Sequence, residues 1–230
     1  MKNKLSLPAV MLALTLLLTA CGSSTPQTGT TTTPAPTEKA VDISLGHIEG
    51  SVYENAFTGY GCALDDAWTL YSAEELQDIS DLTQEALKDA ELLEENEKYH
   101  YFVDMMAQNE ADLTVMNVGY SYISLKERLA SVLTSEEQLV DNTLAQADTM
   151  TSAYAESGIT LNSMEKVKVN FLGGERWAIH SDTDIDGIPY YVLQIFDMKP
   201  GASYYVTLTL GSYVEDNTES LLDLFYPVSK

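Results

Sequence analysis

Apolar residues recur at steps of three or four over two segments, and this period predicts two amphipathic helices. The first follows Ser72 and Glu75, a capping box whose hydroxyl and carboxylate satisfy backbone N–H groups at the helix start. The second follows Thr134 and Glu137 in the same way, and Gly158 is placed to end it. The predicted apolar stripes are Leu76, Ile79, Leu82, Ala86, Ala90 and Leu93 in the first helix, and Val140, Leu144, Ala147, Met150 and Tyr154 in the second.

A period of two predicts strands over most of the remaining chain. In the clearest case, residues 166–171, three apolar side chains share the face opposite two lysines and an asparagine. Asp186-Gly187 and Pro200-Gly201 indicate tight turns, and strands joined by tight turns pair antiparallel. The other predicted elements are two strands within Val41–Leu64 joined around Asn55–Thr58, strands in Tyr99–Ala107, Leu113–Ile123, Arg176–Ser181, Pro189–Met198 and Tyr204–Leu210, and a short C-terminal helix from Asp216 that buries Leu221, Leu222 and Phe225.

The predicted order of elements is β-β-α-β-β-α-β-β-β-β-α. Antiparallel strands with helices recurring between them predict an α+β fold, an antiparallel sheet flanked by helices as an α/β/α sandwich. The length of residues 41–230 fits one domain with a single core.

Residues 1–20 have the layout of a secretory signal peptide. A basic start is followed by the almost wholly apolar stretch Leu5–Leu18. A transmembrane helix is the weaker interpretation, because this stretch contains Pro8 and is shorter than the roughly 20 residues that span a bilayer. Cys21 directly follows Leu-Thr-Ala, which resembles the lipobox of bacterial lipoproteins; the alternative is a chance cysteine beside an ordinary cleavage site. The resemblance implies that Cys21 becomes the acylated N-terminus and the site of lipid attachment.

Residues 21–40 are predicted to be a lipidated cysteine followed by a disordered tether. Residues 22–37 are rich in Ser, Thr and Pro and contain no charged or aromatic side chain, so they cannot form a core. The expected location is therefore the extracytoplasmic face of the cell membrane, with the domain held through its lipid.

Charge narrows the range of partners. The chain has a formal net charge of −23, and removal of the leader with its two lysines makes the remainder more negative still. Such a surface repels nucleic acid and anionic lipid headgroups. The expected partners are the membrane, through Cys21, and an unidentified protein or small ligand, but no nucleic acid.

Candidate chemistry is sparse. With Cys21 lipidated, Cys62 has no disulfide partner and is predicted to be a buried, unreactive thiol. His47, His100 and His180 lack a second ligand at metal-binding spacing. The sequence therefore predicts no catalytic residue, no cofactor and no metal site.

Three aspartates and a glycine, Asp182-x-Asp184-x-Asp186-Gly187, match the opening of a calcium-binding EF-hand loop. The position that would carry the bidentate glutamate is Leu193, and the flanking residues alternate as strands do. A solvated hairpin turn is the favoured interpretation, with weak calcium binding as the alternative.

Tyrosines occur in pairs: Tyr99/Tyr101, Tyr120/Tyr122, Tyr190/Tyr191 and Tyr204/Tyr205. They are expected at the margins of the sheet with their hydroxyls in water. The alternative is an exposed platform that binds a glycan or a peptide.

Two motifs carry a family resemblance. Tyr53-Glu54-Asn55 is followed by Gly59-Tyr60-Gly61-Cys62 and Trp68, and Asp104-Met105-Met106-Ala107 precedes Asn109-Glu110. In this order they resemble the PsbP-like superfamily, which includes a Ran-binding import factor and bacterial lipoproteins; the chain is most similar to uncharacterised lipoproteins of Gram-positive gut bacteria. The resemblance implies an antiparallel sheet between helices and a binding role. Neither the Ran-contact nor the metal-site residues of the family can be matched here.

The expected function is a membrane-anchored, non-catalytic binding or scaffold module for an unidentified partner. The alternatives are a surface enzyme of the hydrolase type with dispersed catalytic residues, and a carrier of a small ligand.

Overall fold

The structure, a computed structural model, describes residues 44–89, 101–123, 134–145, 147, 151, 154–155, 158–199 and 202–229. Two antiparallel sheets contain the strands of this part of the chain. The elements are β1 (His47–Glu49), β2 (Val52–Asn55), β3 (Tyr60–Ala63), β4 (Trp68–Leu70), α1 (Ala73–Asp89), β5 (Tyr101–Asn109), β6 (Thr114–Tyr122), α2 (Glu136–Leu144), β7 (Ile159–Phe171), β8 (Gly174–Ile185), β9 (Ile188–Met198), β10 (Tyr204–Tyr213), a 3-10 helix (Glu219–Leu224) and β11 (Phe225–Pro227).

The larger sheet has seven strands in the order β4-β5-β6-β10-β9-β8-β7, and the smaller has four in the order β1-β2-β3-β11. The two sheets pack face to face. Alternate residues of β6 and β10, such as Met116 and Leu208, belong to the same buried cluster as Tyr53 and Cys62 of the small sheet. The other face of the large sheet packs against helices: Leu76 of α1 shares a cluster with residues of β5 and β6, and Val140 of α2 shares one with residues of β8, β9 and β10.

The α+β class is therefore correct in outline, but in the described residues sheet predominates and the predicted flanking by helices is weak. Described helices cover one face of the large sheet, and a second sheet with the 3-10 helix covers the other. The difference arises at both ends of the domain. Residues 47–63 form three short strands, and Phe225, predicted to be helical, pairs with Cys62 as the start of β11.

The local signals at the helix starts are largely confirmed. The backbone N–H of Ser72 donates to Glu75 Oε2 (2.8 Å) and the N–H of Glu75 to Ser72 Oγ (3.4 Å). The second capping box is shifted by one residue, to Ser135 and Gln138. Gln138 takes the role predicted for Glu137, and Glu137 pairs with Lys166 on β7 (3.0 Å).

The hairpin between β8 and β9 is confirmed. Asp186 and Gly187 both have positive φ (54° and 84°), as the two central residues of a tight hairpin turn require. The predicted Pro200-Gly201 turn lies outside the described residues. No helix in the described part of the chain is long and apolar enough to cross a membrane.

The tyrosines are more deeply buried than predicted. Tyr120 and Tyr190 are fully buried and Tyr101 and Tyr205 nearly so; among the tyrosines that the structure describes, only Tyr122 is well exposed, and Tyr99 lies outside the described residues. Glycines on neighbouring strands make room for two of these rings. The Tyr190 hydroxyl lies over Gly211, where a Cβ would be 2.2 Å away, and the Tyr101 hydroxyl lies over Gly119 in the same way.

Gly211→Ala is therefore expected to destabilise the domain by about 1–3 kcal/mol, because the new methyl group overlaps a buried ring. Gly174→Ala is the matched control, since the nearest atom to its Cβ would be a carbonyl oxygen at 3.8 Å. Urea denaturation monitored by circular dichroism measures both. Equal midpoints for the two variants would contradict the close packing of Tyr190 on Gly211.

Candidate functional site

A β-bulge in β5 places a carboxylate between the two sheets. The register of β5 against β6 shifts between Val103 and Met105, so Asp104 is the extra residue. A bulge of this kind locally bends the strand and redirects a side chain. The Asp104 side chain is accordingly bonded to the small sheet and to the segment before β1.

The Asp104 carboxylate accepts hydrogen bonds from three residues. The backbone N–H of Gly46 lies 3.0 Å from Oδ1 and 2.9 Å from Oδ2. The Tyr53 hydroxyl donates to Oδ2 at 2.7 Å and the Asn55 amide to the same oxygen at 2.8 Å. Oδ2 thus carries most of the donors, whereas Oδ1 accepts only from Gly46.

Asn55 extends this network to β6, the neighbouring strand of the large sheet. Its side-chain amide also lies 2.8 Å from the Tyr120 hydroxyl, which in turn is 3.3 Å from the carbonyl oxygen of Ser44. Its side-chain oxygen accepts from the backbone N–H groups of Phe57 and Thr58 at 2.8 and 3.1 Å. Asn55 therefore fixes both the β2–β3 turn and the ring of Tyr120.

Burial is the largest influence on the pKa values of Asp104 and Tyr53. It raises the pKa of Asp104 above its ordinary value, although the hydrogen bonds from Tyr53, Gly46 and Asn55 lower it. Burial and the charge of Asp104 raise the pKa of Tyr53 far above its usual range, so Tyr53 remains a neutral donor. A carboxylate held by such donors positions the groups that donate to it.

Five rings lie beside Asp104 at the same end of the large sheet, and we call them the aromatic cluster. Its members are Phe57, Phe102, Tyr120, Tyr122 and Tyr204. Phe102 stacks on Tyr120 with 4.8 Å between ring centroids and 10° between planes. Tyr204 meets Phe102 edge to face at 5.6 Å and Tyr122 in the same way at 5.6 Å.

The outer members of the aromatic cluster reach the surface. Tyr122 is 40% exposed, and Phe57, Phe102 and Tyr204 are partly exposed. Tyr120, beneath them, is fully buried. Of the paired tyrosines, Tyr122 and Tyr204 are therefore the two that present part of a ring to the surface here, beside Phe57 and Phe102.

A second carboxylate flanks the aromatic cluster. Burial raises the pKa of Tyr120, and the charges of Asp104 and Asp197 raise it further, so both acids act on this ring. Asp197 is paired with Arg176 at 3.0 Å, and Arg176 also binds Glu136 of α2. Two carboxylates, Asp197 and Glu136, therefore share one guanidinium.

The other candidates have structural roles. Cys62 is fully buried in β3, and burial raises the pKa of its thiol to about 12, which confirms the predicted unreactive residue. His180 lies 2.8 Å from Asp216 and stacks on Tyr191. Cys21 and His100 lie outside the described residues, so lipid attachment remains a prediction.

The three-aspartate sequence forms the end of β8 and its turn. Asp184 Oδ1 accepts the backbone N–H of Gly187 at 2.6 Å, and Asp182 Oδ1 accepts the amide of Asn162 at 3.1 Å. In the described part of the chain, no three His, Cys, Asp or Glu residues are grouped as metal ligands would be. The hairpin interpretation is the one that the geometry matches.

The sequence analysis named most residues of this site but did not predict that they lie together. Tyr53, Asn55 and Asp104 were singled out only because they carry the family resemblance. The available signal was Asp104 itself, an acid inside a strand that is otherwise almost entirely apolar. A charge at such a position requires partners. Phe57 and Phe102 gave no comparable signal.

Comparisons with known proteins add little to this picture. No protein-family model matches the chain, and no curated protein is similar to it. Among solved structures, the solution structure of cyanobacterial PsbP (CyanoP) from Synechocystis sp. PCC 6803 is 12% identical. The match covers 85% of this chain and 99% of that one, with a TM-score of 0.40. Membership of the PsbP-like superfamily remains a proposal that rests on the motifs quoted above.

The raised pKa of Asp104 predicts a specific pH dependence. Between its ordinary value, about 4, and the raised value, the folded protein binds more protons at this site than the unfolded chain. The contribution of Asp104 to the free energy of unfolding therefore falls as the pH rises through this window. Asp104→Asn does not titrate, so its stability relative to wild type should increase over the same range. Urea denaturation at successive pH values measures this difference.

Asp66→Asn, at an exposed loop position, controls for the loss of one negative charge. Asp104→Ala should lower the free energy of unfolding by about 2–3 kcal/mol, because buried donors on Tyr53 and Asn55 lose their acceptor. A pH profile that Asp104→Asn and Asp66→Asn change equally would show that Asp104 is not perturbed.

Proposed function

We propose that this protein is a lipid-anchored extracytoplasmic binding module whose recognition surface is the aromatic cluster with Asp104. The supporting observation is the arrangement of four partly or well exposed aromatic side chains around a carboxylate held by the protein's own donors. Aromatic side chains that present one apolar face to water are characteristic of recognition surfaces. In this proposal the domain is of the PsbP-like type and does not turn over a substrate.

A binding role accounts for the chemistry of this site better than the hydrolase alternative does. Asp104 is surrounded by donors that hold its oxygens in place, and the Cys62 thiol is buried. His180 is bonded to a carboxylate and packed against a tyrosine. Each of these groups is used for positioning, whereas hydrolysis needs an activated nucleophile beside a base.

The N-terminal segment supplies the anchor in this proposal. Acylated Cys21 would attach the chain to the membrane, and residues 22–37 would act as a spacer. At about 3.1 Å per residue, an extended segment of this length spans roughly 50 Å. The strongly negative domain would then stand away from anionic headgroups and present its aromatic cluster to a partner.

Cys21→Ala is expected to abolish acylation, so that the protein is released from membranes or accumulates as an unprocessed precursor. Stable anchoring needs two acyl chains, and without the Cys21 thiol the lipid cannot be attached. Membrane fractionation and mass spectrometry of the N-terminal peptide measure the result. Cys62→Ala is the control, because it removes the other cysteine and leaves the lipobox intact. A Cys21→Ala protein of mature size in the membrane fraction would contradict the anchor.

A further inference from the structure

We propose that the end of the large sheet opposite the aromatic cluster docks a protein partner whose contact surface is apolar at its centre and rimmed by lysine and arginine. This surface is separate from the one proposed above for recognition. Its centre consists of three exposed apolar side chains, Leu113, Ile188 and Val214, which we call the apolar tip; they are 44, 46 and 55% exposed. Single exposed apolar residues are ordinary, whereas several at one place are typical of interaction sites.

Backbone hydrogen bonds hold the apolar tip together. Leu113 lies in the turn between β5 and β6, Ile188 begins β9, and Val214 follows β10. The N–H of Tyr213 donates to the carbonyl oxygen of Leu113 at 3.0 Å. The N–H of Val214 donates to the carbonyl oxygen of Pro189 at 2.9 Å. Three segments that are distant in the chain therefore meet at one end of the sheet.

Two residues of the apolar tip have backbone conformations that disfavour them. Leu113 and Val214 have φ of 53° and 68°, in the left-handed region that Gly, Asn and Asp adopt most readily. A β-branched residue such as Val214 is a clear outlier there. Both side chains are exposed, so packing within the domain does not offset the cost of this conformation. Contact with a partner is the role that these two side chains fit.

The segments that carry the apolar tip are fixed by their own hydrogen bonds. In the β5–β6 turn, Asn109 Oδ1 accepts the backbone N–H of Asp112 at 3.2 Å. After β10, the N–H of Glu215 donates to the Tyr213 carbonyl at 2.7 Å, and the Ser212 hydroxyl donates to the Glu215 carbonyl at 2.6 Å. A surface that is fixed before binding loses less conformational entropy when a partner docks.

Carboxylates surround the apolar tip. Segments 109–114, 184–190 and 212–218 contain no lysine or arginine, and their acidic residues are Glu110, Asp112, Asp184, Asp186, Glu215 and Asp216. Asp216 is bonded to His180 at 2.8 Å, and none of the other acids takes part in a salt bridge between described residues. An apolar centre inside a polar rim is the usual anatomy of a protein interface. An acidic rim is complementary to a basic one on the partner.

The bilayer and a second copy of this chain fit the apolar tip less well. Anionic headgroups and a second acidic rim are both repelled by these carboxylates. The tether also enters at the other end of the sheet, where the carbonyl oxygen of Ser44, the first described residue, accepts from the Tyr120 hydroxyl. At about 3.3 Å per residue, β6 separates Tyr120 from Leu113 by roughly 23 Å. The apolar tip is therefore remote from the proposed membrane anchor.

The test uses the full-length lipidated protein in a non-ionic detergent at low salt, titrated by isothermal calorimetry. The probe is cytochrome c, a basic protein whose exposed haem edge is apolar and ringed by lysines. Cytochrome c with acetylated lysines is its control, because it keeps the apolar edge without the positive rim. We expect saturable binding of cytochrome c that is at least about tenfold tighter than that of the acetylated protein, and that weakens as salt is added.

Leu113→Asn and Val214→Asn should each weaken binding of cytochrome c at least about threefold, because each removes apolar area from the centre of the surface. Leu172→Asn is the matched control and should not change the affinity. Leu172 is also an exposed leucine with positive φ (53°), but it lies in the β7–β8 turn at the other end of the sheet. Asparagine adopts positive φ readily, so all three variants should fold, which urea denaturation verifies.

Three results of the calorimetry would overturn the proposal. Binding that Leu113→Asn and Leu172→Asn change equally, or not at all, would show attraction to the acidic chain as a whole. Equal affinity for cytochrome c and its acetylated form would show a surface without preference for a basic rim. Absence of binding would also reject the proposal.

Two further measurements identify the other occupants, and a positive result in either would overturn the proposal. A dimer in analytical ultracentrifugation that Leu113→Asn dissociates would identify a second copy of the chain. For the bilayer, a polarity-sensitive dye is attached to Ile188→Cys, since Cys62 is buried and does not compete for it. A blue shift of its emission on reconstitution into phosphatidylcholine vesicles would show contact with lipid. The Cys21→Ala fractionation does not depend on any of these results, so failure of the apolar tip is distinguishable from failure of the anchor.

Discussion

The hydrogen bonds of the Asp104 carboxylate are the interaction on which this end of the structure depends. Two sheets in face-to-face contact are held by apolar packing, which fixes their separation but is not directional. Asp104 adds direction, because its donors come from the segment before β1 and from β2 while the carboxylate belongs to β5. Its burial is unfavourable, and the hydrogen bonds from Gly46, Tyr53 and Asn55 offset that cost.

The same network determines the shape of the surface. Asn55 bonds to the Tyr120 hydroxyl, and Tyr120 is the ring on which Phe102 stacks. The outer rings pack against one another without Asp104, yet their positions are linked to its carboxylate through Asn55 and Tyr120. Through this connection one acidic residue would contribute both to stability and to the proposed recognition, because it orients the buried ring beneath the exposed ones.

The sequence predicted the parts of the fold that depend on neighbouring residues. Ser72 and Glu75 cap a helix, and Asp186-Gly187 turns a hairpin, because both interactions close within a few residues. The second sheet was missed because strands of three or four residues are too short to show a period, and because β11 pairs with β3 from the far end of the domain. The bulge at Asp104 was missed for the same reason, since register is a property of two strands.

Acidity has different consequences at different positions of this chain. Spread over the surface, it repels nucleic acid and anionic lipid, which is consistent with the covalent anchor proposed above. Concentrated beside aromatic rings, it changes what those rings prefer to bind. Ring faces accept sugars, apolar groups and cations, and a nearby carboxylate can accept hydrogen bonds from hydroxyls as well as attract a cation. In the proposed role, what the aromatic cluster recognises therefore depends on Asp104 as well as on the rings, because Asn55 connects that carboxylate to Tyr120.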